Sequence, residues 1–318
     1  MVPTRLYYRI RPMIPRRLQI LLRSWYARKQ RAQCRDAWPI SGETASPPKN
    51  WNGWPDGKRF AFILTHDVET EAGQRRCPDL MELELELGFV SSFNFVPERY
   101  PVSGETRESL ARNGFEVGVH DLKHDGRLYD SRPKFLECAG RINGYLKAWG
   151  AVGFRSGAMH HNLDWIHALN IEYDASTFEF DPFEPQPDGL NTIFPLWVRR
   201  DGSESGYVEL PYTLPQDFTL FKLLGEKDAT LWKRKLEWVA SKGGMALLIA
   251  HPDYMRFDGN SPRYDEYPVR LYRDFLEHVK SRYDGQYWNA TPRDVARFYK
   301  KIAAGKGMNG GEAHLGPG

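Results

Sequence analysis

Two histidines follow an apolar run in the middle of the chain, where they could bind a metal ion. Residues 114–124 read GFEVGVHDLKH, which places His120 and His124 at the end of the run. An isolated HxxxH pair is a weak signal, because two polar residues often fall at this spacing on a loop. Together with one carboxylate, however, two imidazoles form a ligand set suited to Zn²⁺ or a similar divalent ion. A metal site therefore requires an acid from elsewhere in the chain.

Two acids at the end of an earlier apolar run could supply that carboxylate. The segment FILTHDVET places Asp67 and Glu69 one residue apart, and the alternation of side chains along a strand would point both to the same face. Two neighbouring carboxylates resist ionising together unless a cation lies between them. Taken alone, the pair is equally consistent with a solvated strand end.

Two further polar residues follow later apolar runs. In VGFRSG, Arg155 comes directly after a predicted strand, where a guanidinium needs an acidic partner, and Asp67 is the obvious candidate. In MALLIAHPDY, His251 ends the most apolar run of the chain. This histidine could be a capped structural residue or could act on a substrate.

The elements that must position these residues alternate between strands and helices. Apolar runs typical of buried strands occur at residues 60–65, 92–96, 115–119, 152–154, 207–210, 245–250 and 286–290. Helical patterns lie between and after them, at residues 79–87, 107–113, 133–149, 163–169, 229–241, 269–282 and 292–302. This alternation predicts a parallel sheet, and the number of units favours a closed or nearly closed barrel with its working residues at the carboxyl ends of the strands.

In their order along the chain, the four motifs resemble those of the polysaccharide deacetylases, the NodB-type carbohydrate esterases, across about residues 58–300. The matching segments are THDVE at 65–69, HDLKH at 120–124, FRSG at 154–157 and LLIAHPDY at 247–254. The resemblance implies a distorted (β/α) barrel of seven or eight strands. It also implies a metal-dependent hydrolase of non-peptide carbon–nitrogen bonds, which removes N-acetyl groups from an N-acetylated sugar, glycan or glycolipid precursor. The expected metal is Zn²⁺, with Co²⁺ as the alternative.

The resemblance further implies roles for the later three motifs. His120 and His124 would be metal ligands. Arg155 would orient the catalytic carboxylate, and His251 would be the general acid that protonates the leaving amine.

The first motif departs from the family pattern, in which two aspartates are adjacent. Here Val68 separates Asp67 from Glu69, as in a variant branch of the family. Keeping the family's order makes Asp67 the base and Glu69 the third metal ligand. The reverse assignment, with Asp67 on the metal, stays open.

Two other departures lie where a substrate would be held. No proline follows Arg155 in RSGAM, and YDAST at 173–177 occupies the region of the family's tryptophan-bearing motif. Alternative functions are therefore an O-acetyl esterase or a non-sugar amide hydrolase on the same site, or a glycan-binding barrel that has lost turnover.

The charge of the chain is unevenly distributed. Residues 1–35 contain ten of the 44 lysines and arginines and none of the 41 acids, so the body of the protein is acidic and no nucleic-acid partner is expected. Residues 16–32 could form a basic amphipathic helix. Such a helix could make peripheral contact with an anionic membrane through residues 1–35, pack on the body, or bind RNA or another acidic partner.

These patterns divide the chain into three segments. We predict a basic N-terminal segment and linker at 1–57, the catalytic domain at 58–303 and a disordered tail at 304–318. The three cysteines form no CxxC pair, which fits a reducing compartment, and no apolar run is long enough for a signal peptide or a membrane span. We therefore expect a cytoplasmic protein of carbohydrate metabolism, with the inner face of the cytoplasmic membrane and cell-envelope intermediates as its setting.

Overall fold

The computed structural model of the chain describes residues 14–34, 37–49, 51–201, 203 and 205–304. The first thirteen residues and Arg35 of the basic segment, and the predicted disordered tail beyond Ala304, lie outside these residues. Within them, no helix is both long enough and apolar enough to cross a membrane.

A curled, largely parallel sheet forms the centre of the molecule. In chain order its strands are β1 (Phe60–Val68), β2 (Ser91–Phe95), β3 (Glu116–His120), β4 (Gly153–Arg155), β5 (Tyr173–Asp174), β6 (Leu196–Arg199), β7 (Gly206–Glu209) and β8 (Met245–Ala250). A two-stranded pair follows, β9 (Met255–Arg256) with β10 (Tyr267–Pro268), and β11 (Tyr287–Asn289) returns to the main sheet. The main sheet has the order β11-β1-β2-β3-β4-β5-β7-β6, and β8 pairs with the other edge of β1.

Helices connect most of these strands. They are α1 (Arg16–Gln33), α2 (Glu71–Leu87), α3 (Gly104–Arg112), α4 (Arg132–Trp149), α5 (Leu163–Ile166), α6 (Thr230–Lys242), α7 (Arg270–Arg282) and α8 (Pro292–Ala304). A π-helix covers Phe218–Leu224, and single 3₁₀ turns lie at Gly42–Thr44, Pro55–Gly57, Gly157–Met159 and Pro252–Tyr254. The predicted distorted (β/α) barrel is therefore confirmed.

Strand β1 is the centre of the barrel because both of its edges and both of its faces are covered. All nine of its residues are buried, as are all six of β8, which explains why both segments read as continuous apolar runs. The strands β11 and β2 pair with successive halves of one edge of β1, and the side chain of Asn289 hydrogen-bonds to the backbone of Phe62 and Val90 between them. Residues 212–214 nearly close the barrel, since Leu214 bridges to Leu248 of β8 and Tyr212 to Phe178.

Helix α2 begins eight residues earlier than predicted. The prediction started after Pro78, because proline lacks the N–H that a helix interior requires. In the structure, the side chain of Thr70 caps the helix by accepting from the Gly73 N–H, and the helix continues through Pro78. Its buried side, which includes Gln74 and Cys77, packs on the barrel, and this burial offsets the missing hydrogen bond.

Helix α1 packs on the barrel through its inner face. Ile20 and Ala27 belong to the main hydrophobic core, and the Ser24 hydroxyl donates to the carbonyl oxygen of Leu223 in the π-helix at 2.5 Å. The Arg31 guanidinium pairs with Glu226 at 2.5 Å. The inner face of the predicted amphipathic helix is therefore occupied by the body of the protein.

A buried glycine of β3 leaves room for a polar side chain of β2. Gly118 pairs with Asn94, and a Cβ at position 118 would overlap the amide oxygen of Asn94. We expect Gly118→Ala to lower the free energy of unfolding by about 1–3 kcal/mol, the usual result of overpacking. Chemical denaturation of the purified variant measures this change.

The control is an exposed glycine within helix α4. A Cβ at Gly144 would meet no atom within 4 Å, so Gly144→Ala should raise the free energy of unfolding by about 0.5–1 kcal/mol. Equal stability of the two variants would contradict the proposed crowding at position 118.

Candidate metal centre

The predicted site residues converge at the carboxyl ends of neighbouring strands. Asp67 of β1 lies opposite Asn94 of β2, and His120 of β3 lies opposite Arg155 of β4. His251 follows β8, which pairs with the other edge of β1. The barrel thus brings together side chains that are far apart in the chain.

The ring of His120 is buried with one nitrogen available. Its Nδ1 lies 3.1 Å from the backbone oxygen of Arg155, and because a carbonyl oxygen only accepts, this nitrogen carries the proton. The Nε2 atom then has a free lone pair, and it is buried without a hydrogen-bond partner among the described residues. Burial lowers the pKa of His120 to about 4, so the ring is neutral at pH 7. A neutral imidazole with an unpartnered nitrogen is the form that binds a metal ion.

The second histidine lies on a tight turn after β3. The rings of His120 and His124 are 4.9 Å apart, and the Nε2 atom of His124 is 3.4 Å from a carboxylate oxygen of Glu69. Both Asp121 and His124 have positive φ angles, of 56° and 53°, which few non-glycine residues adopt. The Asp121 carboxylate holds the turn by accepting from the N–H of Leu122 and of Gly157.

Glu69 completes a three-residue set with the two histidines. One ligand atom from each of the three side chains lies within 4.8 Å of the others. Tyr254 donates to the second oxygen of Glu69 at 3.1 Å, and Asp253 accepts from the Glu69 backbone N–H at 2.9 Å. Burial opposes ionisation of Glu69, but the neighbouring histidines and an arginine outweigh it and lower its pKa. This donor set, with the unpartnered nitrogen of His120, fits a divalent cation.

Asp67 has a different environment from Glu69. One of its oxygens accepts from Arg155 at 2.9 Å and from Asn94 at 3.1 Å, and the other lies 3.9 Å from Nε2 of His120. Burial would raise the pKa of Asp67, but the charge of Arg155, together with the charge of His251 and the hydrogen bond from Asn94, lowers it below the usual range. Asp67 is therefore an ionised carboxylate beside the three-residue set rather than within it.

Arg155 holds Asp67 in place, as the sequence indicated. The guanidinium is only 1% exposed. It donates to the hydroxyl of Thr65 at 2.8 Å and to the carbonyl oxygen of Ala175 at 2.9 Å, in addition to Asp67. These fixed partners leave Asp67 little freedom to turn.

His251 has a buried acidic partner that the sequence analysis missed. The Nδ1 atom of His251 is 2.6 Å from Asp217, whose other oxygen accepts from the His251 backbone N–H. Burial alone would lower the pKa of His251, but the charge and hydrogen bond of Asp217 raise it to about 10. The Nε2 atom faces the site, 4.0 Å from Glu69. No pattern in TLPQDFTL marks Asp217, because its role depends on a contact across 34 residues.

Of three comparisons with known proteins, only the comparison with solved structures finds matches. No family model matches the sequence, and no curated protein does. Among solved structures, a Mycobacterium smegmatis protein named as a polysaccharide deacetylase aligns with a TM-score of 0.61 and 19% identity, over 80% of this chain and 94% of its own. A Pseudomonas aeruginosa PAO1 protein with the same name aligns with a TM-score of 0.60 and 16% identity, over 80% of this chain and 95% of its own. PuuE allantoinase aligns with a TM-score of 0.58 and 16% identity, over 81% of this chain and 95% of its own.

At these identities the comparisons establish the fold. The chain has the fold of the polysaccharide deacetylases, as the order of its four motifs indicated, and allantoinase shares that fold. The roles of the individual residues stay predictions.

Metal binding distinguishes the two assignments of the acidic residues. We expect each chain to bind one Zn²⁺ or Co²⁺. Loss of a residue that only hydrogen-bonds to a metal ligand weakens metal binding by about 10–100-fold. We expect Glu69→Gln and His120→Ala to weaken it by more than this, because each variant removes a ligand. Asp67→Asn should weaken it by no more than that range, because Asp67 lies outside the three-residue set. Competition titration against a chelating dye measures the affinities.

The matched control is His278→Ala on helix α7, which should bind the ion like the wild type. If Asp67→Asn abolishes binding while Glu69→Gln retains it, Asp67 is the ligand and the assignment is reversed.

The Asp217–His251 pair gives a second prediction. Because the charge and hydrogen bond of Asp217 contribute most to the raised pKa of His251, Asp217→Asn should lower that pKa from about 10. An NMR titration of the metal-free protein measures this, with the His251 signal assigned by its absence in His251→Gln. The remote variant Asp284→Asn should titrate like the wild type, and an unchanged pKa in Asp217→Asn would contradict the pairing.

Proposed function

We propose that this chain is a metal-dependent hydrolase that removes N-acetyl groups from an N-acetylated sugar, glycan or glycolipid precursor. The observation that carries the proposal is that three groups of side chains meet at one site. They are a metal-binding set, a buried carboxylate held by an arginine, and a buried imidazole held by a carboxylate, formed by Glu69, His120, His124, Asp67, Arg155, His251 and Asp217.

The metal set comprises Glu69, His120 and His124. When bound there, a divalent ion such as Zn²⁺ supplies Lewis acidity to the acetyl carbonyl and makes water easier to deprotonate.

Asp67 is suited to act as the general base. Its lowered pKa keeps it ionised at neutral pH, and its contacts with Arg155 and Asn94 orient one oxygen while the other faces His120. This free oxygen takes the proton from the water that attacks the acetyl carbon.

His251 is suited to act as the general acid. Its raised pKa keeps the imidazole protonated at neutral pH, with Nδ1–H donated to Asp217 and Nε2–H directed to the site. An amine is expelled poorly as an anion, so Nε2 donates its proton to the amide nitrogen as the carbon–nitrogen bond breaks. The charge and hydrogen bond of Asp217 stabilise the charged form of the ring until that transfer.

A second candidate is the hydrolysis of a small non-sugar amide. Its support is the likeness to PuuE allantoinase, whose TM-score of 0.58 is similar to that of the Pseudomonas aeruginosa protein at 0.60. The same acid and base would serve this reaction, since the bond broken is again a carbon–nitrogen bond.

Release of acetate tests the first candidate. With Zn²⁺ or Co²⁺ bound, we expect acetate from N-acetylhexosamine oligomers, measured by an enzymatic acetate assay. Asp67→Asn and His251→Gln should each lower kcat by about 10²–10⁴-fold, because each removes one proton-transfer group. His278→Gln, which alters a histidine of helix α7, should leave kcat unchanged.

The substrate panel also contains O-acetylated glycans and allantoin. Turnover of one of these without acetate from any N-acetylated sugar would replace the proposed substrate class. A metal-loaded protein that binds glycans and turns over none of the panel would support a binding barrel instead.

A further inference from the structure

Helix α1 exposes an apolar stripe on the side that faces away from the barrel. Five of the seven large hydrophobic side chains exposed among the described residues lie on this helix: Leu18, Leu21, Leu22, Trp25 and Tyr26. Their spacing of three and four residues places them on one face, over about 12 Å of helix. Leu21 and Trp25 are the most open, at 66% and 67% exposure. We call these five side chains the outer stripe.

The opposite face of the helix fixes which side points outwards. Gln19, Ile20, Ser24 and Ala27 are buried against the body. A helix turns by about 100° per residue, so Ile20, Ser24 and Ala27 lie on the side opposite the outer stripe, and Gln19 lies at the edge of the stripe next to Tyr26. The packing of the inner face on the π-helix therefore sets the rotation of the helix about its axis, and with it the outward direction of the outer stripe.

Basic side chains border the outer stripe on both sides. Arg17 and Arg28 lie along one edge and Arg23 along the other, and all three are exposed. The guanidinium groups of Arg17 and Arg23 also lie over the rings of Tyr264 and Phe218, at 4.8 Å and 5.2 Å, and the ammonium of Lys29 lies 5.9 Å from the ring of Trp25. Residues 16–33 contain no acid. An apolar face that contains aromatic residues and is flanked by basic residues matches the boundary of an anionic bilayer, where acyl chains meet phosphate groups.

A second copy of the chain fits this face poorly. A twofold dimer through the outer stripe would bring the flanking basic residues of both copies together, and like charges brought together at an interface are unfavourable. We propose that the outer stripe docks on an anionic lipid surface, with its hydrophobic side chains in the boundary region and the flanking basic side chains, Arg28 and Lys29 above all, near the lipid phosphates.

The same helix begins at the candidate metal centre. Arg16, its first residue, lies 3.5 Å from the hydroxyl of Tyr254, which donates to Glu69 at 3.1 Å. Leu18, the first residue of the outer stripe, is two positions further along. Resting on the proposed function, this proximity assigns the substrate to a class: an N-acetylated glycolipid whose tail lies in the same lipid surface.

Vesicle sedimentation tests the docking face without any need for turnover. The full chain should sediment with vesicles of phosphatidylcholine and phosphatidylglycerol, but not with phosphatidylcholine alone, and added salt should weaken the binding. Leu21→Ser/Trp25→Ser should reduce binding at least about tenfold, because it removes the two most exposed apolar groups. The matched control Leu85→Ser/Leu136→Ser alters two exposed leucines on α2 and α4, at 42% and 46% exposure, and should bind like the wild type.

A pair of charge variants tests the flanking residues. Arg28→Gln/Lys29→Gln should weaken binding to the anionic vesicles by on the order of tenfold, whereas Lys147→Gln/Lys280→Gln, with the same change of charge elsewhere, should weaken it much less. If both double variants lose the same vesicle affinity, the total charge of the protein alone causes the attraction, and this result would overturn the docking face. The docking face would also be overturned if the wild type does not bind the anionic vesicles, or if ultracentrifugation shows a dimer that Leu21→Ser/Trp25→Ser dissociates.

The substrate class requires a second readout. The wild type should deacetylate an N-acetylglucosaminyl lipid in anionic vesicles faster than the free sugar head group. Leu21→Ser/Trp25→Ser should lose this preference and keep the wild-type rate on the free head group. A variant that keeps the preference would overturn the substrate class. Absence of acetate from every substrate would instead count against the proposed function, and vesicle binding would be unaffected by that result.

Discussion

The ion pair between Arg155 and Asp67 is the interaction on which the rest of the pocket depends. Both side chains are almost completely withdrawn from water, and either charge alone would cost several kcal/mol at such a site. Further hydrogen bonds support the pair: the guanidinium also donates to Thr65 and Ala175, and the paired carboxylate oxygen also accepts from Asn94. Arg155 also accepts from His120 through its backbone oxygen, so one residue orients the candidate base and fixes the tautomer of the first candidate ligand.

The two candidate proton-transfer groups are tuned by the same means in opposite directions. A buried cation lowers the pKa of Asp67, and a buried anion, Asp217, raises the pKa of His251. At neutral pH the first is a free base and the second a charged acid, which is the pairing that amide hydrolysis requires. Burial is essential to both, because solvent would screen each partner and return both groups towards their ordinary values.

The sequence predicted the features that are local, such as apolar runs and short motifs. It did not predict the features that depend on contacts between separate elements. Long apolar runs predicted β1 and β8 closely, whereas β5 has only two residues and no period to detect. The ordered motifs identified the residues that the structure brings together. Asp217 and Asn94 could not be identified in this way, because each is one polar residue in an unremarkable segment. Their function comes from a partner 34 or 27 residues away.

The N-terminal helix shows why packing and membrane contact need not exclude each other. A helix has two faces, and the sequence pattern of α1 contains an apolar set on each. The inner set, with Ile20 and Ala27, joins the core, and the Ser24 hydroxyl hydrogen-bonds to the body at Leu223. Because the inner contacts are made within the chain, presenting the outer stripe requires no further ordering of α1, and docking would lose little conformational entropy. A rigidly held stripe beside the pocket can therefore orient the barrel mouth on a surface, which a mobile basic tail could not do.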